Sequence, residues 1–450
     1  MEFDVIIIGS GGGSKITRPA ASLGLNVAII EKDELGGTCL NHGCIPSKML
    51  IYPAQILNKV KTLNKFHINI DSTININFKK IMKEVNKTVE KESNAIEPLY
   101  KKITNITTFR GTASFINNHT LKVNEKIITG KKIFIVAGSR PFIPNIPGLK
   151  NTPYITSKEA LKLTKQPKEM IIIGGGYIAT ELGFFYQMMG TKVTFIVRSK
   201  LVKEVDTDIQ KRFQKIFCKN HHVKLDANPI NIKYENNKFL LKYTQNHKES
   251  QIEADTCLIA TGVIPNTDLL NIENTDIKLN KNKSIQVNDY LETNVKNIWA
   301  FGDIIGKYYY RHSANFQGEY LFQNIFKSKK AEKINYPAMP QAVFTNPEIA
   351  SVGPKESDLP KNSYYIGENE YKSSGKGMAM KDTEGYVKLI FSKSTDQLIA
   401  AHIIGESASD IIHMPIAFIE KKATLEDMKN TIYIHPALSE NIRNAARNVK

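Results

Sequence analysis

Twice in this chain a run of β-branched residues ends in a cluster of glycines and is followed by a helical stretch, an order that few folds accommodate. The first copy opens with Asp4-Val5-Ile6-Ile7-Ile8, continues through Gly9-Ser10-Gly11-Gly12-Gly13-Ser14 into an alanine-containing helical segment, and returns as an apolar strand ending on Glu31. That is a βαβ unit. A tight turn at Gly9 and bare backbone at Gly11 let a pyrophosphate reach a helix N-terminus, where free N–H groups and the helix dipole favour anions. Ser14 stands where the pattern has its third glycine and is small enough for close helix–strand packing. Glu31 is placed to accept a hydrogen bond from a ribose hydroxyl. The second copy runs Met170–Ile173, Gly174-Gly175-Gly176-Tyr177-Ile178-Ala179, a helix through Glu181 and Phe185, and a strand Lys192–Val197. Here Val197 stands where an acid would read a ribose hydroxyl, and Arg198 follows, with Lys200 and Lys203 close by. A guanidinium can pair with a 2′-phosphate, so NADPH is favoured over NADH. The plainer reading of Arg198 and Lys203 is that a basic chain puts cations at exposed strand ends.

At 450 residues the chain has room for several domains, and 41% hydrophobic with 23% charged residues is the balance of a folded globular protein. The net charge of +17 is spread along the sequence without a basic block. It is therefore a general bias that gathers anionic ligands, and nucleic acid is not an expected partner. No stretch is apolar enough to span a bilayer and the N-terminus carries acids, so a cytoplasmic address is expected.

Four cysteines are too few for a disulfide scaffold. Cys218 and Cys257 stand alone and are assigned to packing. Cys39 and Cys44 lie in Gly36-Gly37-Thr38-Cys39-Leu40-Asn41-His42-Gly43-Cys44-Ile45-Pro46-Ser47-Lys48. On one regular helix their Cα atoms would be about 8–9 Å apart, beyond the reach of a disulfide. A bridge therefore requires an irregular first turn, which the glycines permit. A helix N-terminus and Lys48 would lower the pKa of the inner thiol. Metal ligation is the poorer alternative, since only His42 is near, and no metal is expected.

Residues 36–48 resemble the redox-active motif of the class I pyridine nucleotide–disulfide oxidoreductases, and the resemblance runs the full length. Ala137-Gly138-Ser139-Arg140-Pro141 is similar to the family's AxGSxP segment. Ala260 through Asn266 is similar to its ATGRxPN, with Val263 in place of the usual Arg. Phe301-Gly302-Asp303, Val343 through Glu348 and His435-Pro436-Ala437-Leu438-Ser439-Glu440 resemble its flavin-ribityl, interface-domain and C-terminal His–Glu segments.

The resemblance implies FAD and NAD(P)H as cofactors. Cys39 would be the interchange thiol and Cys44 the thiol beside the flavin. Lys48 would pair with Glu181, and Tyr177 would cover the nicotinamide pocket. His435 would be general acid and base, oriented by Glu440, and supplied by the partner of a homodimer. It also implies cofactor contacts from Gly9, Gly11, Gly12, Gly13, Ser14, Glu31, Lys32, Gly37, Thr38, Ala113, Ala137, Gly138, Ser139 and Asp303, and at the second site from Gly174, Gly176, Ala179 and Gly262. Without the family, His435 reads as a capping or surface histidine. His312 and Asn315 read as structural, and His42 as at most a tuning residue.

The expected architecture is α/β: two Rossmann-like dinucleotide-binding domains and an α+β C-terminal dimerisation domain. Its divisions are an FAD domain at 1–147 holding a lysine-rich helix near 78–102, a nicotinamide domain at 148–266, a segment completing the FAD domain at 267–335, and an interface domain at 336–450. The cysteine motif and the Ala-Leu-Ser-Glu ending favour a dihydrolipoyl dehydrogenase-like reaction on a small dithiol or disulfide, free or in a multienzyme complex. Tyr177, Ala179 and Arg198 favour the alternative, an NADPH-dependent reductase of a low-molecular-weight disulfide such as the mycothione or glutathione type. A redox-sensing flavoprotein without turnover is the rival from another class.

Overall fold

A computed structural model describes residues 1–71 and 73–449. Strands β1 (Glu2–Ile8) and β2 (Val27–Glu31) lie side by side and parallel, joined by helix α1 (Ser14–Ala21). They sit in a seven-stranded sheet, between Ile106–Arg110 on one side and Lys126–Ile135 on the other. Val5, Ile6 and Ile7 have no exposed surface, as strands covered by helices on both faces require. The far half of Lys126–Ile135 also pairs in parallel with Ile298–Ala300, so the chain leaves this sheet and returns to finish it.

The excursion builds a second, four-stranded parallel sheet in the order His222–Lys224, Lys192–Ile196, Glu169–Ile173, Thr256–Ile259. A three-stranded antiparallel sheet, Ala227–Glu235, Lys238–Gln245 and Lys248–Ala254, is inserted between its last two strands in sequence. The C-terminal part is a five-stranded antiparallel sheet with the helix Glu440–Arg447 packed on it. A dinucleotide-type sheet with a parallel core and two antiparallel strands at one edge, a second wholly parallel sheet and a mixed C-terminal unit are the expected α/β architecture.

The single helix expected near 78–102 is instead two, Phe78–Asn94 and Ile96–Lys101. Pro98 has no N–H to give the carbonyl of Asn94, so the first helix stops and a second starts, with the proline in its first turn.

The second nucleotide fold and the five-stranded C-terminal sheet are held together by charge as well as by apolar packing. Lys388, 1% exposed, meets Asp206 at 3.2 Å and also bonds Asp208 and Glu356. Burial alone would lower its pKa, but the hydrogen bonds from Asp208 and Glu356 and the charge of Asp206 outweigh that and raise it. Removing the lysine would leave carboxylates facing each other with no cation. Lys388→Met is expected to cost about 3–5 kcal/mol in denaturant unfolding, and a loss below about 1 kcal/mol would show that water screens the cluster.

Candidate active site

The first glycine loop is shaped by close approach. Gly9 has φ +106°, and a Cβ there would fall 2.3 Å from the carbonyl oxygen of Val136. Gly13 is needed for packing rather than for a ligand, since its Cβ would meet the Gly9 carbonyl oxygen at 2.3 Å and the Ile7 side chain at 2.5 Å. A Cβ on Gly11 would lie at ordinary contact distance from its neighbours, 3.5 Å from Arg311 Nη1 and 3.6 Å from the Gly37 Cα. Ser10 ties this loop to the end of β2, donating from its backbone N (2.9 Å) and its Oγ (2.7 Å) to Glu31 Oε2. Its Oγ in turn accepts from Gly36 N at 2.9 Å, which fixes the entry to helix α2 (Gly37–Asn41).

These elements wall a cavity of about 1480 Å³, larger than the ordinary range for a small ligand and of a size for a dinucleotide plus a second reactant. Gly9, Gly11 and Gly12 line it on one side, with Glu31, Lys32 and Ala113 together at one region. Gly37, Thr38, Cys39, Cys44 and Lys48 form another wall, and Ala137, Gly138, Ser139 and Asp303 another. Tyr177 and Glu181 reach it from the second nucleotide fold. Gly13, Ser14, Gly174, Gly176, Ala179, Arg198, Lys203 and Gly262 are not among its lining residues. Ala179 is wholly buried, and Ser14 Oγ donates to the carbonyl of Gly11.

Two polar groups fit a flavin dinucleotide in this space. Asp303 is pushed up by burial, partly relieved by the Ser139 hydroxyl donating to it at 2.6 Å, and can take a further donor such as a sugar hydroxyl. Asn315 Oδ1 is buried with no hydrogen-bond partner among the described residues, at the cavity wall. His312 lines the cavity as well. From sequence both read as structural, because an amide or imidazole on a helix carries no signal of which way it faces.

The cysteines do not share one helix with an irregular turn. α2 ends at Asn41 and a second helix, α3 (Cys44–Lys61), begins at Cys44. Asn41 Nδ2 holds the break by donating to the carbonyls of Glu34, Leu35 and Gly37, and Gly43 lies so close that a Cβ would be 3.0 Å from the Thr38 carbonyl oxygen. The sulfurs are thereby brought to hydrogen-bond distance as free thiols. Cys39 is pushed up, first by its hydrogen bond with Cys44 and then by burial. Cys44 is drawn down to about 7 by that hydrogen bond first and by the Lys48 charge against burial. The helix start and the lysine expected to favour the inner thiolate are in place, but the partner sulfur is the larger cause. Alkylation of the reduced protein by iodoacetamide should accordingly rise through about pH 7 and level off above it, as Cys44 deprotonates. A rate still rising steeply at pH 9 would show an ordinary thiol.

Behind the pair, Lys48 Nζ meets Glu181 Oε2 at 2.7 Å and stands 4.5 Å over the Phe344 ring. Glu181 is 3% exposed, and its other oxygen accepts from Phe344 N at 2.9 Å. One carboxylate thus joins α3, the second nucleotide fold and the C-terminal unit at the cavity. Tyr177 opens the helix Tyr177–Met188 beside it, its phenol pushed up by burial. His42 pairs with Glu34 at 3.1 Å. Cys218 and Cys257 lie away from the cavity.

His435 and Glu440 do form a pair, Nδ1 lying 3.0 and 3.1 Å from the two carboxylate oxygens. Glu440 is 4% exposed, and is held further by Arg443 at 2.8 Å and the Ala437 N–H at 3.1 Å. The His435 side chain is 74% exposed and absent from the cavity wall, directly after Ile432 and Ile434 at 97% and 79% exposed. Within one chain it does not meet the thiols.

What the cavity assembles is electron transfer between a dinucleotide and a pair of sulfurs, the class of oxidoreductases that act on a sulfur group. The family described as pyridine nucleotide-disulphide oxidoreductase matches residues 3–318, and its dimerisation domain matches 339–446. A dihydrolipoyl dehydrogenase of Mycoplasma genitalium is 31% identical over 99% of this chain and 98% of its own length. One of Staphylococcus aureus is 32% identical over 99% and 96%. Among solved structures, the HOCl-induced flavoprotein disulfide reductase RclA of Escherichia coli superposes with a TM-score of 0.87 at 27% identity, over 99% of this chain and 100% of that one. The chain belongs to the pyridine nucleotide-disulphide oxidoreductases. It is an oxidoreductase that binds FAD and a pyridine nucleotide, and it carries the family's dimerisation domain. Among the described residues no helix is long and apolar enough to cross a membrane.

Proposed function

We propose that this enzyme oxidises a small dithiol of the dihydrolipoyl type, passing the electrons through Cys39 and Cys44 to FAD and on to a nicotinamide. The observation that carries the reading is the thiol pair in the cavity wall at the start of α3, with Lys48 and Glu181 paired behind it, Cys44 drawn down and Cys39 pushed up. With the pair oxidised to a disulfide, a substrate thiolate would attack Cys39 and release Cys44 as the thiolate, and the substrate's second thiol would then displace Cys39, so that the substrate leaves as its disulfide and both cysteines are reduced. FAD, when bound, supplies a two-electron acceptor beside the sulfurs. Lys48 and Glu181 fix the wall behind Cys44, and Tyr177 covers the nicotinamide side. Asp303, Ser139, Gly138, Ala137, Thr38, Gly37, Glu31, Lys32, Ala113 and the Gly9–Gly12 loop bind the flavin nucleotide, and the Gly174–Gly176 loop the second nucleotide. His435, oriented by Glu440, accepts and returns the substrate thiol's proton in the active site of the partner of a homodimer. The divisions 1–147, 148–266, 267–335 and 336–450 are the working domains of this reading.

The second reading is an NADPH-dependent reductase of a low-molecular-weight disulfide, and Arg198 favours it. Arg198 is exposed just past the strand Lys192–Ile196 and forms no ion pair among the described residues, whereas Lys203 lies 3.8 Å from Glu204. Arg198→Glu should raise the KM for NADPH by about tenfold or more and leave that for NADH nearly unchanged. Equal effects would remove Arg198 from cofactor selection. The two readings separate in one assay, comparing NADH- and NADPH-driven reduction of lipoamide, glutathione disulfide and mycothiol disulfide. Turnover of lipoamide is expected, and faster turnover of glutathione or mycothiol disulfide with NADPH would favour the second reading. Protein that carries FAD yet reduces none of the three would overturn both.

A further inference from the structure

One cation at the cavity is unaccounted for by the motifs. Arg311 is the first residue of the helix Arg311–Phe322, directly after the three tyrosines 308–310, and its side chain lines the cavity. Its Nη1 lies 3.5 Å from where a Cβ on Gly11 would stand, so the guanidinium faces the open backbone of the first glycine loop. The helix that carries it is held against that loop: the Cβ of Ala314 lies 3.5 Å from where a Cβ on Gly12 would sit, a Cβ on Gly318 would meet the Lys15 side chain at 2.8 Å, and Lys15 pairs with Glu319 at 2.6 Å. Among the described residues Arg311 makes no hydrogen bond through its side chain and no ion pair. Other half-buried cations at the wall have partners, Lys48 with Glu181 and Arg140 with Asp268 at 2.7 Å. A half-buried guanidinium with no anion is costly unless a ligand supplies one.

We propose that Arg311 binds the FAD pyrophosphate, reaching it from beside Gly11 of the Gly9–Gly12 loop. The loop and the start of α1 offer N–H groups and a partial charge, but α1 brings no full cation to the cavity. Arg311 supplies that charge, and its planar fork suits two phosphate oxygens at once. Its field also reaches the thiols, since Arg311 is among the charges that lower both Cys39 and Cys44. The binding role would therefore bring with it a contribution to the thiolate.

This inference rests on the family reading that FAD occupies the cavity. The test is FAD release from dilute holoenzyme, followed by recovery of free-flavin fluorescence at graded salt, for the wild type, Arg311→Gln and Arg311→Lys. Arg311→Gln should weaken FAD binding by about 10- to 100-fold at low salt and flatten its salt dependence, and Arg311→Lys should recover most of the loss. Gln binding within twofold of wild type with the same salt slope overturns the proposal, as does a Lys variant no better than Gln. If the Gln chain does not fold, Lys against wild type decides, together with the wild-type salt slope. A flat slope overturns the proposal. A wild-type chain that purifies without FAD and takes none up would overturn the family reading instead.

Discussion

Cys44→Ser is expected to lower disulfide turnover by on the order of 10⁴-fold or more while FAD remains bound. A serine hydroxyl is isosteric enough to keep the start of α3, but it cannot form a sulfur–sulfur bond and is not ionised near neutral pH. No other thiol can stand in, because Cys218 is off the cavity and Cys257 is fully buried. The second consequence is a change in Cys39. With its acceptor sulfur gone, the largest cause of its raised pKa disappears, so Cys39 in the variant should alkylate at lower pH than in the reduced wild type. Reductive titration separates loss of chemistry from loss of structure. The wild type should take up two electrons for the sulfurs beyond those for the flavin, and the variant only the flavin's own. Equal uptake by both proteins, or undiminished turnover by the variant, would show that the pair is not the conduit.

The parts of this fold that the sequence declared are those where short-range physics and long-range packing agree. Val5 through Ile8 and Met170 through Ile173 are continuous apolar runs because both faces of a parallel sheet are covered, and the glycines after them turn where no side chain fits. The cysteine pair was visible for the same reason: its spacing excludes a bridge on a regular helix, and the glycine that breaks the helix lies between the sulfurs. The break between two helices is less legible. Asn41, whose amide reaches three carbonyls, fixes it, and an asparagine in a helix has no pattern that announces such a role.

What stayed hidden depends on residues distant in sequence. Asp206, Glu356 and Lys388 are unremarkable charges in a basic chain until three segments converge on one buried nitrogen. Arg311 could have been suspected only as an arginine opening a helix just after Gly302-Asp303. Its solitary state requires the coordinates. His435 is the converse case, since the pairing with Glu440 is local and was legible, whereas what the imidazole acts on is not in the chain's own cavity.

That separation makes the other large prediction sharp. His435→Gln should reduce turnover by about 10²- to 10⁴-fold, the usual worth of a positioned acid–base group, and shift the pH profile because no group then takes the substrate thiol's proton. Glu440→Gln should do less, because it leaves the imidazole in place. The carboxylate's pKa is lowered first by the His435 hydrogen bond, so the amide loses the charge that supports the imidazolium. If His435 works in the partner's cavity, two dead chains can rescue each other. Co-expressed Cys44→Ser and His435→Gln chains form mixed dimers in which one site has the thiols of the second chain and the histidine of the first. With random pairing half the dimers are mixed and one of their two sites is whole, so roughly a quarter of wild-type activity should return. Were His435 to act within its own chain, every site in the mixed dimer would lack either the thiol or the base, and no activity would come back. The exposed Ile432 and Ile434 beside His435 supply an apolar edge for that association. Replacing both isoleucines with aspartate should abolish the rescue by keeping the chains apart, with His435 and Glu440 still paired in each.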